Sequence, residues 1–332
     1  DIVAGELYHR LLTYISPDQS NGVLDEEKYN WFCSDSKQII KSDPEIEIWK
    51  VLKYLSIQCC SDVFTRLEEL GNRLGRNGKP TLRPASHFDP AEDAEVLRKA
   101  MKGLGTNEKD ITRILTRRSL NQRTKIQEKY QQIHGRDLVK DLEKELSGIF
   151  EKEYHKSVEE IVCKETGGQF EKLLMSILSF CRDDSASSPS AVADELTSDD
   201  IKEDDIRRIV TSYTFRFLKK VFEEYQDKTG EEFEKLVDKK CKGDSKKAFK
   251  AIYLISKNRI EYYAHALNEA MKGRGTDDWA LIRIIVSRCE IDLGTIKDKY
   301  NELYGKDLIE QVKKELSGDY EKALVNLLGG DE

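Results

Sequence analysis

Met101-Lys-Gly-Leu-Gly-Thr106 and Met271-Lys-Gly-Arg-Gly-Thr276 are two versions of one phrase, and each is followed by a second shared phrase, Lys144-Glu-Leu-Ser-Gly148 and Lys314-Glu-Leu-Ser-Gly318. Glu145 lies 44 residues after Met101, and Glu315 lies 44 after Met271, with no gap required. Between these landmarks the copies share Arg113/Arg283, Ile114/Ile284, Arg118/Arg288, Ile126/Ile296, Tyr130/Tyr300, Gly135/Gly305 and Asp137-Leu138/Asp307-Leu308. A unit repeated along a chain buries its apolar face only against its neighbours, so the repeat governs the architecture before any single element does.

Two weaker copies follow from the same template. Across 190–256, Arg208, Ile209, Tyr225, Gly230 and Gly243 fall where Arg113, Ile114, Tyr130, Gly135 and Gly148 do, but Leu196, Ser198 and Asp200 replace the Met and both glycines, and Lys240 replaces the distant Glu. The last copy is split. Residues 1–77 match the first half of a unit, with Ile48, Val51 and Leu52 on Ile111, Ile114 and Leu115, and with a polar insertion at 13–45. Residues 153–182 read as the missing second half, Glu165 and Gly168 falling on Glu145 and Gly148. The complementary halves imply either that 1–77 belongs between about 152 and 153 in biosynthetic order or that the chain is permuted. The expected units are therefore 80–152, 1–77 plus 153–182, 190–256 preceded by a linker within 183–200, and 259–332.

Composition sets the class. In 332 residues, 38% hydrophobic content suffices for a core, while 35% charge and six prolines favour helices with solvated outer faces. Val96 and Ala100, then Ile111, Ile114, Leu115, Ile126 and Tyr130, recur at threes and fours, the one-sided pattern of helices facing a shared core. Asp199-Asp200 and Asp204-Asp205 read as helix starts, and Ser147-Gly148 and Ser317-Gly318 as points where one helix stops and the next begins. Seven cysteines show no zinc spacing and read as reduced thiols of a cytosolic protein. No apolar run is long enough to span a bilayer, and no signal-like stretch is visible.

The glycine loops carry the chemistry. Glycines at 103 and 105 allow consecutive carbonyls to converge on one point. Ca²⁺ takes six to eight oxygens and accepts carbonyls, carboxylates and water together. Carbonyls of Met101, Gly103 and Gly105 with the Glu145 carboxylate, and those of Met271, Gly273 and Gly275 with Glu315, make two candidate Ca²⁺ sites with positions left for an outside oxygen. The alternative is a tight helix–helix connection in which Glu145 caps the next turn. The degenerate copy has lost loop glycines and acid together, as a shared ligand set requires. Phosphate loops fit worse, since no GxxxxGK[ST] is present and the third glycine of a dinucleotide loop is missing.

With the arm ending His87-Phe-Asp-Pro90, the GxGT loops, the turns Gly135-Arg-Asp-Leu138 and Gly305-Lys-Asp-Leu308, and the ending Ser317-Gly318-Asp-Tyr-Glu-Lys322, the chain resembles an annexin. The resemblance is strongest in 80–152 and 259–332, fair in 190–256 and weak in 1–77. It implies an all-α array of four five-helix repeats in a curved disc whose convex face binds acidic phospholipid through Ca²⁺, with principal sites at Met101, Gly103, Gly105 and Glu145 and at Met271, Gly273, Gly275 and Glu315. It further implies a cytoplasmic protein, peripheral on membranes when Ca²⁺ is present, with a cell-surface pool also compatible. The degenerate units suggest a divergent invertebrate member, flatworm-like in its insertions.

Charge supports the same mechanism. At a formal net charge of −7 with no basic run, the chain is repelled by anionic lipid, so a cation has to mediate, and nucleic acid is not expected as a partner. Leu104 at one apex could dip into the acyl boundary and Arg274 at the other could pair with phosphate. The competing reading is a protein-interaction scaffold with structural Ca²⁺ sites, using 13–45 and 183–200 as partner surfaces. No enzyme is expected: the five histidines are scattered and suit surface or capping roles.

Overall fold

The computed structural model describes residues 78–102, 106–145, 162–164, 166–179, 182–185, 187–273 and 275–330, and of Glu143 and Glu145 the backbone only. The readings made for 1–77, the insertion 13–45, Gly103, Leu104, Gly105, Ser147-Gly148, 153–161, Glu165 and Arg274 lie outside them. Among the described residues the secondary structure is helical, without strands. The chain divides into two compact units, one holding the described residues from 162 to 262 and the other 78–145 with 263–330.

The second of these contains α1 (Pro90–Ala100), α2 (Glu108–Arg117), α3 (Leu120–His134) and α4 (Leu138–Glu145). Pro90 starts α1 where a missing N–H costs nothing, and the Asp89 carboxylate caps it by accepting from the Ala91 N–H. Ser119 and Gln122 form a reciprocal capping box on α3. Gly135, at φ 64°, closes α3, its N–H reaching the Gln131 carbonyl. Ile111, Ile114, Leu115, Ile126 and Tyr130 are all buried, as their spacing predicts. Val96 sits only at the edge of the core; the inward face of α1 is Asp93, Ala94, Leu97 and Ala100. Asp93 lies on that inward face because Arg118 donates to its carboxylate there.

The first unit contains α5 (Gly168–Leu178), α6 (Pro189–Leu196), α7 (Glu203–Ser212), α8 (Phe215–Thr229) and α9 (Phe233–Lys240). Phe215, Leu218, Val221, Phe222, Tyr225, Phe233 and Val237 form its aromatic-rich core with Tyr253. Asp204 and Asp205 lie in the first turn of α7, but Asp199 and Asp200 do not begin a helix. Asp205 takes the capping role by accepting from the Lys202 N–H at 3.0 Å, which leaves the earlier pair in a turn.

The run α10 (Gly243–Met271) is two helices joined at Asn258, whose φ of −156° and ψ of 96° break it. Asn258 caps the second segment, its Oδ1 accepting from the Glu261 N–H and its Nδ2 donating to the Glu261 carboxylate. The next helices are α11 (Asp278–Arg288), α12 (Leu293–Tyr304), α13 (Leu308–Glu315) and α14 (Gly318–Leu327). The first three of them repeat the order of α2 to α4 with Gly305, at φ 62°, in the place of Gly135. The helix restart expected at Ser317-Gly318 is present. His265 is a correction: it is buried, with Nδ1 on the Tyr304 hydroxyl, because its position on the helix faces α12. Cys241 and Cys289 are buried thiols, each pushed up to about 12 chiefly by burial. No helix among the described residues is long and apolar enough to cross a membrane.

Candidate metal centres

In both strong repeats the loop begins where a helix ends, and a helix end presents carbonyls without intrahelical partners at the negative pole of its dipole. Met101 and Met271 are buried at these ends, anchoring each loop in the core. The Lys102 N–H donates to the Lys99 carbonyl and the Lys272 N–H to the Glu269 carbonyl, both at 3.3 Å. Each loop is then closed by the same bond: Asn107 N–H to the Ala100 carbonyl at 2.9 Å, and Asp277 N–H to the Ala270 carbonyl at 2.8 Å. Asn107 and Asp277 go on to cap the following helices through the Asp110 and Ala280 N–H groups.

In the fourth repeat the glycines do what the sequence requires of them. Gly273 has φ 97° and Gly275 φ 85°, conformations that L side chains rarely adopt. Glu315 ends α13, half-buried, with one carboxylate oxygen accepting from Gln311 Nε2 at 2.9 Å. Tyr300 links that region to the end of α10: its hydroxyl donates to Asn268 Oδ1 at 3.3 Å. Burial, and then the charge of Glu315, push its phenol up to about 12. In the first repeat Met101 stands in the corresponding place, and Glu145 closes α4.

The degenerate repeat shows where a side chain at the distant position goes. Lys240, 44 residues after Leu196, extends its ammonium to the Asp199 carbonyl at 2.8 Å. Asp199 occupies the loop position of Leu104 and Arg274. The final residue of the fourth helix therefore reaches a loop carbonyl in this repeat.

Sequence reasoning missed the capping residues Asn107 and Asp277, although both follow the loop Met by six residues. It also missed the Tyr130 and Tyr300 hydroxyls, which were read only as core.

The annexin family model matches residues 92–152, 196–252 and 262–327. This chain is an annexin. Its relatives include annexin A11 of Oryctolagus cuniculus, 34% identical with 76% of this chain and 62% of that protein covered. Annexin A5 of Gallus gallus is 32% identical, with 76% and 98% covered. The annexin thus spans about three fifths of the length of its annexin A11 relatives and nearly all of annexin A5. Among solved structures, annexin III superposes with a TM-score of 0.67 at 28% identity over 77% of this chain and 99% of that one. A structure titled calcium-bound annexin (Sm)1 gives 0.62 at 26% identity, with 77% and 94% covered. The all-helical fold of this annexin is the four-repeat, five-helix fold of its family.

Proposed function

We propose that this annexin binds phospholipid membranes in a Ca²⁺-dependent manner through the first and fourth repeats. The observation that carries the reading is the reach of the Lys240 ammonium to a loop carbonyl: by equivalence, Glu145 and Glu315 can meet the carbonyls of their own loops. The left-handed glycines at 273 and 275 and the helix-end position of the loop suit a hard cation, and a structural relative is titled calcium-bound. Met101, Gly103 and Gly105 with Glu145, and Met271, Gly273 and Gly275 with Glu315, would hold the ion. The ion supplies positive charge that a lipid phosphate oxygen can complete, which a chain of net charge −7 otherwise lacks. Membrane organisation, trafficking or repair is the process such reversible attachment serves.

Glu145→Gln and Glu315→Gln keep side-chain volume and remove the charge. Each single change raises the Ca²⁺ needed for co-sedimentation with phosphatidylserine vesicles. The double change abolishes sedimentation over the range that saturates the unmodified protein, because two weak sites on one body act through effective concentration. Unchanged Ca²⁺ dependence in a double variant of native helicity would sink the proposal and favour a protein-interaction scaffold.

A further inference from the structure

Lys240 inverts the charge at the position that Glu145 and Glu315 hold in their repeats, and its geometry is more specific than the loss of a ligand. Its ammonium donates to the Asp199 carbonyl at 2.8 Å across 41 residues of chain. A lysine ammonium is a compact point charge with three donors on a flexible stem, so it can sit against carbonyl oxygens as a small cation would.

The surrounding backbone agrees. The Ser198 N–H bonds the Glu195 carbonyl at 3.4 Å and the Ile201 N–H bonds the Ser198 carbonyl at 3.2 Å. The loop leaves the helix at Thr197 with φ −80° and ψ −8°, and Ser198 and Asp200 stand in it where the sister loop has Gly273 and Gly275. Three flanking acids are committed elsewhere: Asp194 pairs with Lys228 at 2.5 Å, Glu195 with Arg208, and Asp205 with the Lys202 N–H, while Asp199 and Asp200 in the loop itself are exposed.

We propose that Lys240 supplies the third repeat with a built-in cation, closing the loop 196–201 at every Ca²⁺ concentration and barring a divalent ion from it. The proposal builds on the reading of the sister loops as Ca²⁺ sites. The protein then carries two loops that answer to Ca²⁺ and one that is permanently set.

Hydrogen–deuterium exchange on the full chain tests this with Ca²⁺ alone as the probe. In the unmodified protein, exchange at 196–201 is the same with and without Ca²⁺, while 271–276 slows when Ca²⁺ is added. In calcium-free buffer, Lys240→Met keeps the stem, loses the charge and speeds exchange at 196–201 about fivefold, the size one surface hydrogen bond warrants. Lys240→Arg keeps the slow rate, and α8 is unchanged in both variants as a check on folding. Two outcomes overturn the proposal: exchange at 196–201 indifferent to Lys240→Met, or Ca²⁺-induced slowing there in the unmodified chain, which decides the matter even if a variant misfolds. Failure of the Ca²⁺ reading shows separately, as no response at 271–276, and leaves the calcium-free comparison intact.

Discussion

The first and fourth repeats place equivalent arginines at the same point of the same scaffold and satisfy them in different ways. Arg118 donates from Nε and Nη2 to Asp93, on another helix, at 2.6 and 3.1 Å, with Phe88 stacked 5.9 Å away. Arg288, 170 residues on, pairs instead with Asp292, four residues along the chain, at 2.8 and 2.6 Å. Tyr263 stands where Asp93 did and offers its ring at 5.2 Å rather than a charge. At the site of Asp292 the first repeat has Gln122, whose amide grips both the N–H and the carbonyl of Ala85 in the arm. A second position changes in the same direction. Asp141, ringed by Arg136, Tyr130 and Arg98, is replaced by Gln311, and the positions of its three partners by Lys306, Tyr300 and Asn268. Backbone corners and apolar positions stay the same while the polar network is rewired, so the scaffold demands that a buried charge be answered but not by which neighbour.

The largest effect expected from this difference is at Asp292. Arg288 and Asp292 are each only 1% exposed, so Asp292→Ala strands a buried guanidinium and costs about 3–5 kcal/mol in urea unfolding. Asp93→Ala, in a pair where Arg118 is 17% exposed, costs about 2 kcal/mol. An equal or reversed order would break the comparison.

A smaller effect separates the two repeats by pH. The Arg136 hydrogen bonds hold the Asp141 carboxyl below its ordinary range, against the opposing pull of burial. A depressed folded value means the stability is fully present above the ordinary carboxylate range and is lost as pH falls through the depressed one. Asp141→Asn should therefore cost about 1–3 kcal/mol at neutral pH, and the difference should vanish in strong acid. Urea midpoints measured from pH 7 to pH 2 check this; Gln311, which carries no charge, confers no such limb on the fourth repeat. A gap between Asp141→Asn and the unmodified protein that persists in acid would show that packing, and not ionisation, holds the cluster.

Smallest is the junction before the fourth repeat. Asn258→Ala removes the cap on the segment that leads to Met271 and costs about 1 kcal/mol. The first repeat begins instead from the Asp89-Pro90 cap, so Asp89→Ala should cost a similar amount, and a twofold disparity would show that the helix break at Asn258 does more than cap.

The helical class and the core of the first repeat were legible because both depend on periodicity, and the repeat multiplied that signal. Gly135 and Gly305 could be matched in advance because a helix ending with φ above zero needs a glycine almost regardless of context. The partners of the arginines could not be read. Asp93 and Asp292 are both plain acids in the chain, and only packing decides which one a buried guanidinium meets. Asn258 escaped notice because a lone Asn between Lys257 and Arg259 has none of the marks of Gly or Pro. Of the candidate sites, spacing exposed the repeated loop and its distant acid, but the seat of the Lys240 ammonium depends on a side-chain conformation that no spacing encodes.

The bond from Asn326 Nδ2 to Thr116 Oγ1, with Arg117 on the same amide, joins residues about 210 positions apart. It lies where α14 packs on α2, so one face of α2 has no cover until the last helix exists. During synthesis the first repeat must therefore wait, with Ile111, Ile114 and Leu115 close to that open side, while roughly 200 further residues leave the ribosome at about 5–20 per second. For that interval it is a natural client for chaperones that shield apolar surface, and the closing of its unit is a step of high contact order that slows folding more than it stabilises the fold.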